Sequence, residues 1–356
     1  MRLMSVVGAR PQFVKVAPVD RAARVSGHEH LIIHTGQHYD PDMSDVFFQE
    51  LAIPAPDVNL EIGSDSHGRQ TGAMMAGLED VMLDRRPDTV IVYGDTNSTI
   101  AAALAAVKQH IPVAHVEAGL RSFNRRMPEE HNRVLTDHCA DLLLAPTEIA
   151  VGHLEREGLG DRTRLVGDVM YDVFRTVRSA IERRGATDGT TDVSEPPYVL
   201  ATIHRQENTD DVERLRAIIA ALAALPTRVL LPAHPRLRSV AARGGVELDV
   251  GSIITCPPLA YGELVRVLLG ARSVITDSGG LQKEAFFAGT PCSTVRTETE
   301  WVETLANGWN VLVEPGDIAA AVQRPVPSDE RGTPYGDGHA GPAVVRAIEA
   351  ELASAQ

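Results

Sequence analysis

Short apolar segments rich in β-branched residues alternate with stretches of helical spacing, and this alternation constrains the fold more than any other feature. One such stretch, residues 97–109, places Ile100, Ala103, Leu104 and Val107 on one helical face. Alternation of this kind predicts a parallel sheet covered by helices on both faces. The strands predicted in the first half are RLMSVV, EHLIIHT, TVIVYG, PVAHV, LLLAP and TRLVG.

A second series of predicted strands follows a connecting segment. Residues 172–196 begin as an amphipathic helix and become rich in Gly, Thr and Asp, which is typical of a connection. The strands predicted after it are YVLATIH, RVLLPAH, SIITC, SVITD, PCSTV and NVLVE. We therefore predict an α/β protein of two Rossmann-like, doubly wound domains that face a central cleft. The predicted boundaries are 1–172 for the first domain, 173–340 for the second and 341–356 for a final helix.

Length, charge and composition exclude several classes of function. A chain of 356 residues is longer than one hydrophobic core usually supports, and it contains no apolar run near the about 18 to 20 residues of a membrane span. A formal charge of −14 argues against a nucleic-acid surface. Because the N-terminal segment lacks signal-peptide features and Cys139, Cys256 and Cys292 form no CxxC pair, we expect a cytoplasmic protein with reduced cysteines.

Polar residues at the ends of predicted strands are the candidate site, because ligands of doubly wound sheets bind beyond the carboxyl ends of the strands. The segment GARPQFVK turns from strand to helix at Gly8, with Arg10 and Lys15 nearby. A helix N-terminus with two cations favours an anion. The alternative is an ordinary turn with solvent-exposed basic residues.

Three carboxylates in the first half are candidates for acid/base chemistry. Asp95 follows one predicted strand immediately before a helix, where Asp is also a common N-cap. Glu117 ends the next strand before small residues that leave room for a ligand, although a buried ion pair with Arg121 is an alternative. Glu129 lies in the first turn of a helix, whose dipole favours an ionised carboxylate, and we expect Glu130 to be there for the dipole alone.

The second half contributes two histidines and a glycine turn. His204 and His234 end two predicted strands; one such histidine is usually a satisfied polar residue, but two favour a site. The strand SVIT runs into Asp277, Ser278 and two glycines, whose amides can approach a phosphate at the start of a helix. Glu284, one turn later, can accept hydrogen bonds from a ribose diol. The turn therefore indicates a nucleotide, with a simple small-residue cap as the alternative.

The motifs GARPxxxK, GDT, HVEAGLR, PEExNR, HRxEN, TDSGGxQxEA and YGDGxA occur in the order found in the non-hydrolysing UDP-N-acetylglucosamine 2-epimerases, and the chain resembles that family over its whole length. The segments TGQHYDPDMSDVFF and HRQEN resemble its archaeal-type branch. The resemblance implies a fold of the glycosyltransferase B type, a final helix packed back on the first domain and a homodimer. It also implies an isomerase that needs no metal or added cofactor.

The resemblance further implies a role for each matching residue. Removal of the C2 proton and loss of UDP would give a 2-acetamidoglucal, to which UDP re-adds after reprotonation from the other face. The implied catalytic residues are Asp95, Glu117, Glu129 and His204. The implied substrate-binding residues are Arg10, Lys15, Leu259, Ser278, Gly279, Gly280 and Glu284, and those near a possible allosteric UDP-sugar are Gln37, Arg69 and His234.

Two departures from the bacterial pattern leave alternatives open. Gln12 stands where bacterial members carry an acid, and Trp301 stands where they carry an arginine, so allosteric activation is open. A modified substrate, such as a UDP-2,3-diacetamido uronic acid, would need an extra cation, which Arg125 or Arg126 could supply. A glycosyltransferase of the same fold and a non-catalytic UDP-sugar sensor are further alternatives.

Overall fold

The computed structural model describes residues 1–37, 55–184 and 197–354, without the side chains of Arg10, Pro11, Arg184 and Ser354. It divides the chain into two compact units. The first unit is Met1–Arg175 with Thr333–Gln356, and the second is Thr176–Gly332. Within the described ranges, no helix is both long and apolar enough to cross a membrane.

The first unit is built on a seven-stranded parallel sheet with the strand order β3-β2-β1-β4-β5-β6-β7. Its strands are β1 (Arg2–Val7), β2 (Glu29–His34), β3 (Val58–Asn59), β4 (Thr89–Tyr93), β5 (Val113–Val116), β6 (Leu142–Ala145) and β7 (Thr163–Leu165). The helices that follow these strands are α1 (Arg10–Val25), α2 (His67–Arg85), α3 (Asn97–Lys108), α4 (Pro128–Cys139), α5 (Glu148–Arg156) and α6 (Val169–Arg184), with a 3₁₀ turn at Gly160–Arg162.

The strands of the first unit are continuous apolar runs in the sequence because they are buried in its core. Every residue of β4 is buried, as expected for a central strand of a parallel sheet covered on both faces. The helix α3 is rich in alanine and packs against α2 and α4, because small side chains let helices approach closely. Each fully buried Leu or Ile, such as Leu78 and Ile91, contributes about 1.5 to 3 kcal/mol of transfer free energy.

The second unit repeats this architecture with a six-stranded parallel sheet in the order β10-β9-β8-β11-β12-β13. Its strands are β8 (Tyr198–Thr202), β9 (Arg228–Pro232), β10 (Ile253–Cys256), β11 (Ser273–Thr276), β12 (Cys292–Thr294) and β13 (Asn310–Leu312). Its helices are α7 (Gln206–Thr209), α8 (Val212–Ala223), α9 (Pro235–Arg243), α10 (Tyr261–Gly270), α11 (Gly279–Ala288) and α12 (Ile318–Gln323), with 3₁₀ turns at Val302–Gly308 and Pro315–Asp317.

The prediction of an α/β protein with two doubly wound parallel sheets is confirmed. All predicted strands are present, and the two-residue β3 is the only strand of the described residues that the sequence did not predict. In each sheet the strand order reverses once, between β1 and β4 in the first and between β8 and β11 in the second. These switch points are where ligands bind in open α/β sheets.

The last helix, α13 (Ala340–Ser354), belongs to the first unit and packs against α1. Asp172 caps it from α6, because its carboxylate accepts hydrogen bonds from the amides of Ala340 at 2.9 Å and Gly341 at 2.8 Å. Burial raises the pKa of Asp172 in spite of these amides. His28 and Glu349 add a contact of 2.8 Å, so α13 is also held further along its length.

Candidate active site

The first switch point is shaped by glycines that follow the ends of β1 and β4. A Cβ atom on Gly8 would lie 2.0 Å from Ser98 Oγ and 2.2 Å from Thr35 Oγ1, so only glycine fits there. Gly94 has a φ of +62°, and a Cβ atom on it would lie 3.2 Å from Lys15 Nζ. The backbone at the end of β4 therefore comes close to the lysine predicted to bind the substrate.

Lys15 and Glu117 form a buried ion pair at this switch point. The distance from Lys15 Nζ to Glu117 Oε2 is 2.7 Å, and the two side chains are 10% and 7% exposed. Glu117 has a φ of +72°, a left-handed conformation that costs a non-glycine residue on the order of 1 kcal/mol. The alternative pairing of Glu117 with Arg121 is wrong, because Arg121 pairs with Asp137 and Glu157 instead.

Asp95 lies at the end of β4 and pairs with a cation from α4. Arg133 donates to Asp95 Oδ2 from Nε at 3.1 Å and also binds Glu130 at 2.9 Å. Thr96 rather than Asp95 is the N-cap of α3, because its side chain accepts from the amide of Thr99. The carboxylate of Asp95 is therefore not used as a helix cap.

The two glutamates at the start of α4 have different environments. Glu130 is buried, and besides Arg133 it accepts hydrogen bonds from the amides of Ser122 at 3.0 Å and Phe123 at 2.9 Å. The expectation that Glu130 serves only the helix dipole is wrong, since it also anchors the loop before α4. Glu129 is exposed in the first turn of α4.

At the predicted anion site at the start of α1, a side chain of the same helix, Gln12, bonds to the backbone amides. The side-chain oxygen of Gln12 accepts from the amides of Gly8 at 2.8 Å and Ala9 at 3.0 Å, and its Nε2 donates to the carbonyl of Tyr93 at 2.8 Å. Gln12 thus joins the ends of β1 and β4. Arg10 is the first residue of α1, and its side chain lies outside the described part of the chain.

A largely buried network behind the ends of β4 and β5 was not predicted from the sequence. His115 lies 2.7 Å from Asp137 through Nδ1 and 2.7 Å from the carbonyl oxygen of Gly94 through Nε2. Arg121 donates to Asp137 at 2.7 Å and to Glu157 at 2.7 Å. Burial opposes ionisation of Asp137, but the charges and hydrogen bonds of His115 and Arg121 outweigh it and lower its pKa.

The second switch point is organised by Asp277, to which no role was assigned from the sequence. Its side chain is fully buried and accepts from the amides of His204 and Arg205 at 3.0 Å each and from Asn208 Nδ2 at 3.1 Å. His204 Nδ1 lies 3.1 Å from Asp277, and half of the His204 side chain is exposed. Burial opposes ionisation, yet the hydrogen bonds from His204, Asn208 and Arg205 lower the pKa of Asp277.

The glycine turn after β11 starts α11 as predicted. Ser278 is the N-cap, and its hydroxyl accepts from the amide of Leu281 at 3.4 Å. The first amides of a helix have no partner within the helix, and those of Gly279 and Gly280 are of this kind. Glu284 is buried one turn further along. The turn therefore has amides that could bind an anion, and it also has the helix cap that was the alternative to a nucleotide site.

Trp301, the departure from the bacterial pattern, packs beside α11. It is buried, and Lys283 Nζ lies 3.5 Å from the centroid of its ring. Arg296 lies 3.0 Å from Glu300 next to it. The tryptophan therefore provides a ring face for a lysine of α11.

The remaining predicted residues are distributed over both units. Gln37 is buried and accepts from Ser98, whose hydroxyl lies at 2.6 Å and whose amide lies at 3.1 Å. Arg69 is exposed on α2, and Leu259 is half-buried before α10. His234 is the N-cap of α9 and accepts from the amide of Arg236 at 3.3 Å. No group of three or more His, Cys, Asp or Glu side chains could hold a metal ion in the described ranges.

Comparisons with known proteins identify the family of this chain. The family model for UDP-N-acetylglucosamine 2-epimerase matches residues 21–349. The chain is 47% identical over 320 residues to the UDP-2,3-diacetamido-2,3-dideoxy-D-glucuronate 2-epimerase of Pseudomonas aeruginosa, covering 88% of each chain. It is 39% identical over 363 residues to the UDP-N-acetylglucosamine 2-epimerase of Methanocaldococcus jannaschii, covering 98% of this chain and 99% of that one.

Solved structures give the same result. The crystal structure of the Methanocaldococcus jannaschii UDP-GlcNAc 2-epimerase, in complex with UDP-GlcNAc and UDP, has a TM-score of 0.90 at 38% identity and covers 98% of this chain and 100% of that one. The Neisseria meningitidis UDP-GlcNAc 2-epimerase bound to UDP-GlcNAc has a TM-score of 0.86 at 28% identity and covers 98% of this chain and 100% of that one. The resemblance stated from the motifs is confirmed, and this chain belongs to the UDP-N-acetylglucosamine 2-epimerase family, a family of isomerases.

Proposed function

We propose that this chain interconverts UDP-N-acetylglucosamine and UDP-N-acetylmannosamine by inverting the configuration at C2. A carboxylate accepts the C2 proton, the C2–H electron pair forms a C1=C2 double bond, and the C1–O bond breaks to release UDP. The intermediate is 2-acetamidoglucal. UDP oxygen then bonds to C1 again while a proton is added to C2 on the opposite face. The hydrogen and the diphosphate are both returned, so the reaction needs no other reactant.

The observation that carries the proposal is the pairing of each buried or half-buried carboxylate at the first switch point with a cation. Glu117 pairs with Lys15, and Asp95 pairs with Arg133. Removing a weakly acidic proton needs a positioned base, which contributes roughly 10²- to 10⁴-fold. Departing UDP needs positive charge, which Lys15 provides. Two carboxylates allow proton transfer on two faces of a sugar ring, and we assign these transfers to Asp95 and Glu117.

The second switch point supports the nucleotide part of the proposal. Amides of Gly279 and Gly280 at the start of α11 suit a diphosphate, because the helix dipole and unbonded N–H groups favour an anion. Glu284 suits a ribose diol. We assign Glu129 and His204 to the catalytic set as auxiliary proton donors, and the backbone near Leu259 to the uracil.

Deuterium exchange tests the proposal directly. The protein is incubated with UDP-N-acetylglucosamine in D₂O, and C2 is followed by NMR. We expect solvent deuterium at C2 and growth of the manno epimer. A glycosyltransferase of the same fold or a non-catalytic sensor would leave C2 unexchanged, and that result would reject the proposal.

A uronic acid derivative is the second candidate substrate. The relative from Pseudomonas aeruginosa named for a diacetamido glucuronate is 47% identical to this chain, whereas the relative from Methanocaldococcus jannaschii named for UDP-N-acetylglucosamine is 39% identical. Arg125 and Arg126 are exposed in the loop that Glu130 anchors, and either can pair with a substrate carboxylate. Exchange with the diacetamido uronate but not with UDP-N-acetylglucosamine would favour this candidate.

Two finer points belong to the same proposal. We propose a homodimer, which sedimentation or light scattering of the full chain would measure.

We also propose that a second UDP-sugar near Gln37, Arg69 and His234 modulates the rate. Addition of UDP-N-acetylglucosamine to the reverse reaction should then accelerate it, and a simple hyperbolic rate dependence would reject this regulation.

A further inference from the structure

His115 and Asp137 form a buried pair that the proposed reaction does not use for proton transfer. Both side chains are 0% exposed, and their closest atoms, Nδ1 and Oδ1, are 2.7 Å apart. His115 lies in β5, between β4 and β6, and Asp137 lies in α4. A polar pair at this depth is costly unless it is fully hydrogen-bonded, so its contacts need an explanation.

The pair joins the two turns that carry the proposed catalytic carboxylates. His115 Nε2 donates to the carbonyl oxygen of Gly94 at 2.7 Å, directly before Asp95 in the chain. Asp137 Oδ2 accepts from the amide of Gly119 at 3.1 Å, two residues after Glu117. The backbone of both turns is left-handed, with φ of +62° at Gly94 and +83° at Gly119.

The hydrogen-bond partners of His115 decide its protonation. A carbonyl oxygen only accepts, so Nε2 carries a hydrogen. Asp137 accepts from both Arg121 and the Gly119 amide through its other oxygen, and a carboxylate in contact with a guanidinium is ionised. Its Oδ1 therefore also accepts, and Nδ1 carries the second hydrogen. The network continues through Arg121 to Glu157 and His138.

We infer that His115, held as an imidazolium by Asp137, is a positioning residue that fixes Asp95 and Glu117 relative to each other. The inference rests on the proposed function, because it assigns the two carboxylates to one reaction. Its physical basis is that the strained φ of +72° at Glu117 persists only where the surroundings determine it. The surroundings here include the Gly119 amide bonded to Asp137.

A matched pair of variants tests the inference. His115→Gln keeps one donor but cannot bridge Gly94 and Asp137 as a charged ring. We expect kcat to fall about 100-fold, as for a displacement of catalytic groups by about 1 Å, while KM and the dissociation constant of UDP stay within about threefold. An unchanged kcat in the folded variant would overturn the inference.

His30→Gln is the control for the loss of a buried histidine. His30 is also fully buried and lies 2.8 Å from Asp20 and 2.8 Å from the hydroxyl of Ser5, but it bonds to neither turn. We expect a lower melting temperature and an unchanged kcat. A fall in kcat equal to that of His115→Gln would show that general destabilisation explains both variants, which would overturn the inference.

Ring ¹⁵N NMR of the wild-type protein with labelled histidine gives a readout that does not depend on a variant that folds. We expect both His115 nitrogens to be protonated at neutral pH, with the signals assigned by through-bond correlation. A neutral tautomer would overturn the inference. If the wild type shows no exchange at C2, the proposed function fails, whereas normal exchange together with an unaffected His115→Gln variant rejects the inference alone.

Discussion

The two switch points occupy equivalent places in two sheets that share the order of six strands, yet their polar residues differ in kind. In the first unit, Glu117 and Asp95 are each paired with a side-chain cation. In the second unit, Asp277 accepts from two backbone amides and from Asn208, and the neighbouring helix presents the amides of Gly279 and Gly280. The fold therefore supplies the location, whereas the side chains decide whether it suits proton transfer or anion binding.

The largest effect on the reaction rate is expected when a catalytic carboxylate of the first switch point is replaced by an amide. Glu117→Gln removes the proposed base and leaves Lys15 without its anion. We expect the rate of C2 deuterium exchange to fall roughly 10²- to 10⁴-fold. The dissociation constant of UDP, measured by calorimetry, should stay within a few fold, because Lys15 remains in place and the proposed contacts to the uracil and ribose are in the second unit. Asp95→Asn should behave in the same way, and loss of UDP binding in either variant would make these residues structural.

The opposite result is expected at the second switch point. Ser278→Ala removes a hydroxyl at the start of α11, and we expect UDP binding to weaken by roughly 1.5 to 3 kcal/mol, as for a hydrogen bond to a charged group. Ser278→Thr keeps the hydroxyl and is the matched control. If Ser278→Ala lowers the exchange rate at saturating substrate but not the affinity, the distinction between the two switch points is wrong.

Asp277→Asn tests whether Asp277 of the second unit contributes to the stability of the fold. An amide nitrogen would face the donors of His204, Arg205 and Asn208, and we expect a loss of about 1 to 3 kcal/mol of unfolding free energy. Because the folded pKa of Asp277 is lowered, its stabilisation is present above the unfolded pKa and lost as pH falls through the folded pKa. Urea unfolding should therefore show a smaller loss of stability on acidification for the variant than for the wild type.

The smallest effect concerns the lysine on the tryptophan ring. Lys283→Met keeps an apolar chain against Trp301 and removes the cation, so the unfolding free energy should fall by about 0.5 to 2 kcal/mol. Thermal unfolding measures the loss, with the exposed Lys108→Met as the surface control. A loss larger than that of Asp277→Asn would show that α11 depends more on this contact than on the carboxylate before it.

Much of the fold could be predicted because its signals are local. Strand-like runs and helical spacing predicted the strands of both sheets, and the switch points follow from polar residues at their ends. The strand β3 escaped prediction because two residues carry no periodicity. Which carboxylate pairs with which cation is decided by neighbours distant in sequence: Glu117 binds Lys15 rather than the nearby Arg121.

The supporting residues were harder to find. His115 and Asp137 are 22 positions apart, and neither follows a strand end. One signal was present: a histidine inside the apolar run PVAHV must be hydrogen-bonded when buried, which predicts a partner without identifying it. Asp277 had a similar signal, since it separates a buried strand from a glycine turn.

The placement of α13 has a consequence for folding during synthesis on the ribosome. The first unit begins the chain, but its last helix is synthesised after the entire second unit. While the second unit is being synthesised, the surface of α1 that α13 later covers is exposed to solvent. During the same time the carboxylate of Asp172 lacks its hydrogen bonds from the amides of Ala340 and Gly341. The second unit is one continuous segment and can mature first, which reverses the usual N-to-C order of domain maturation.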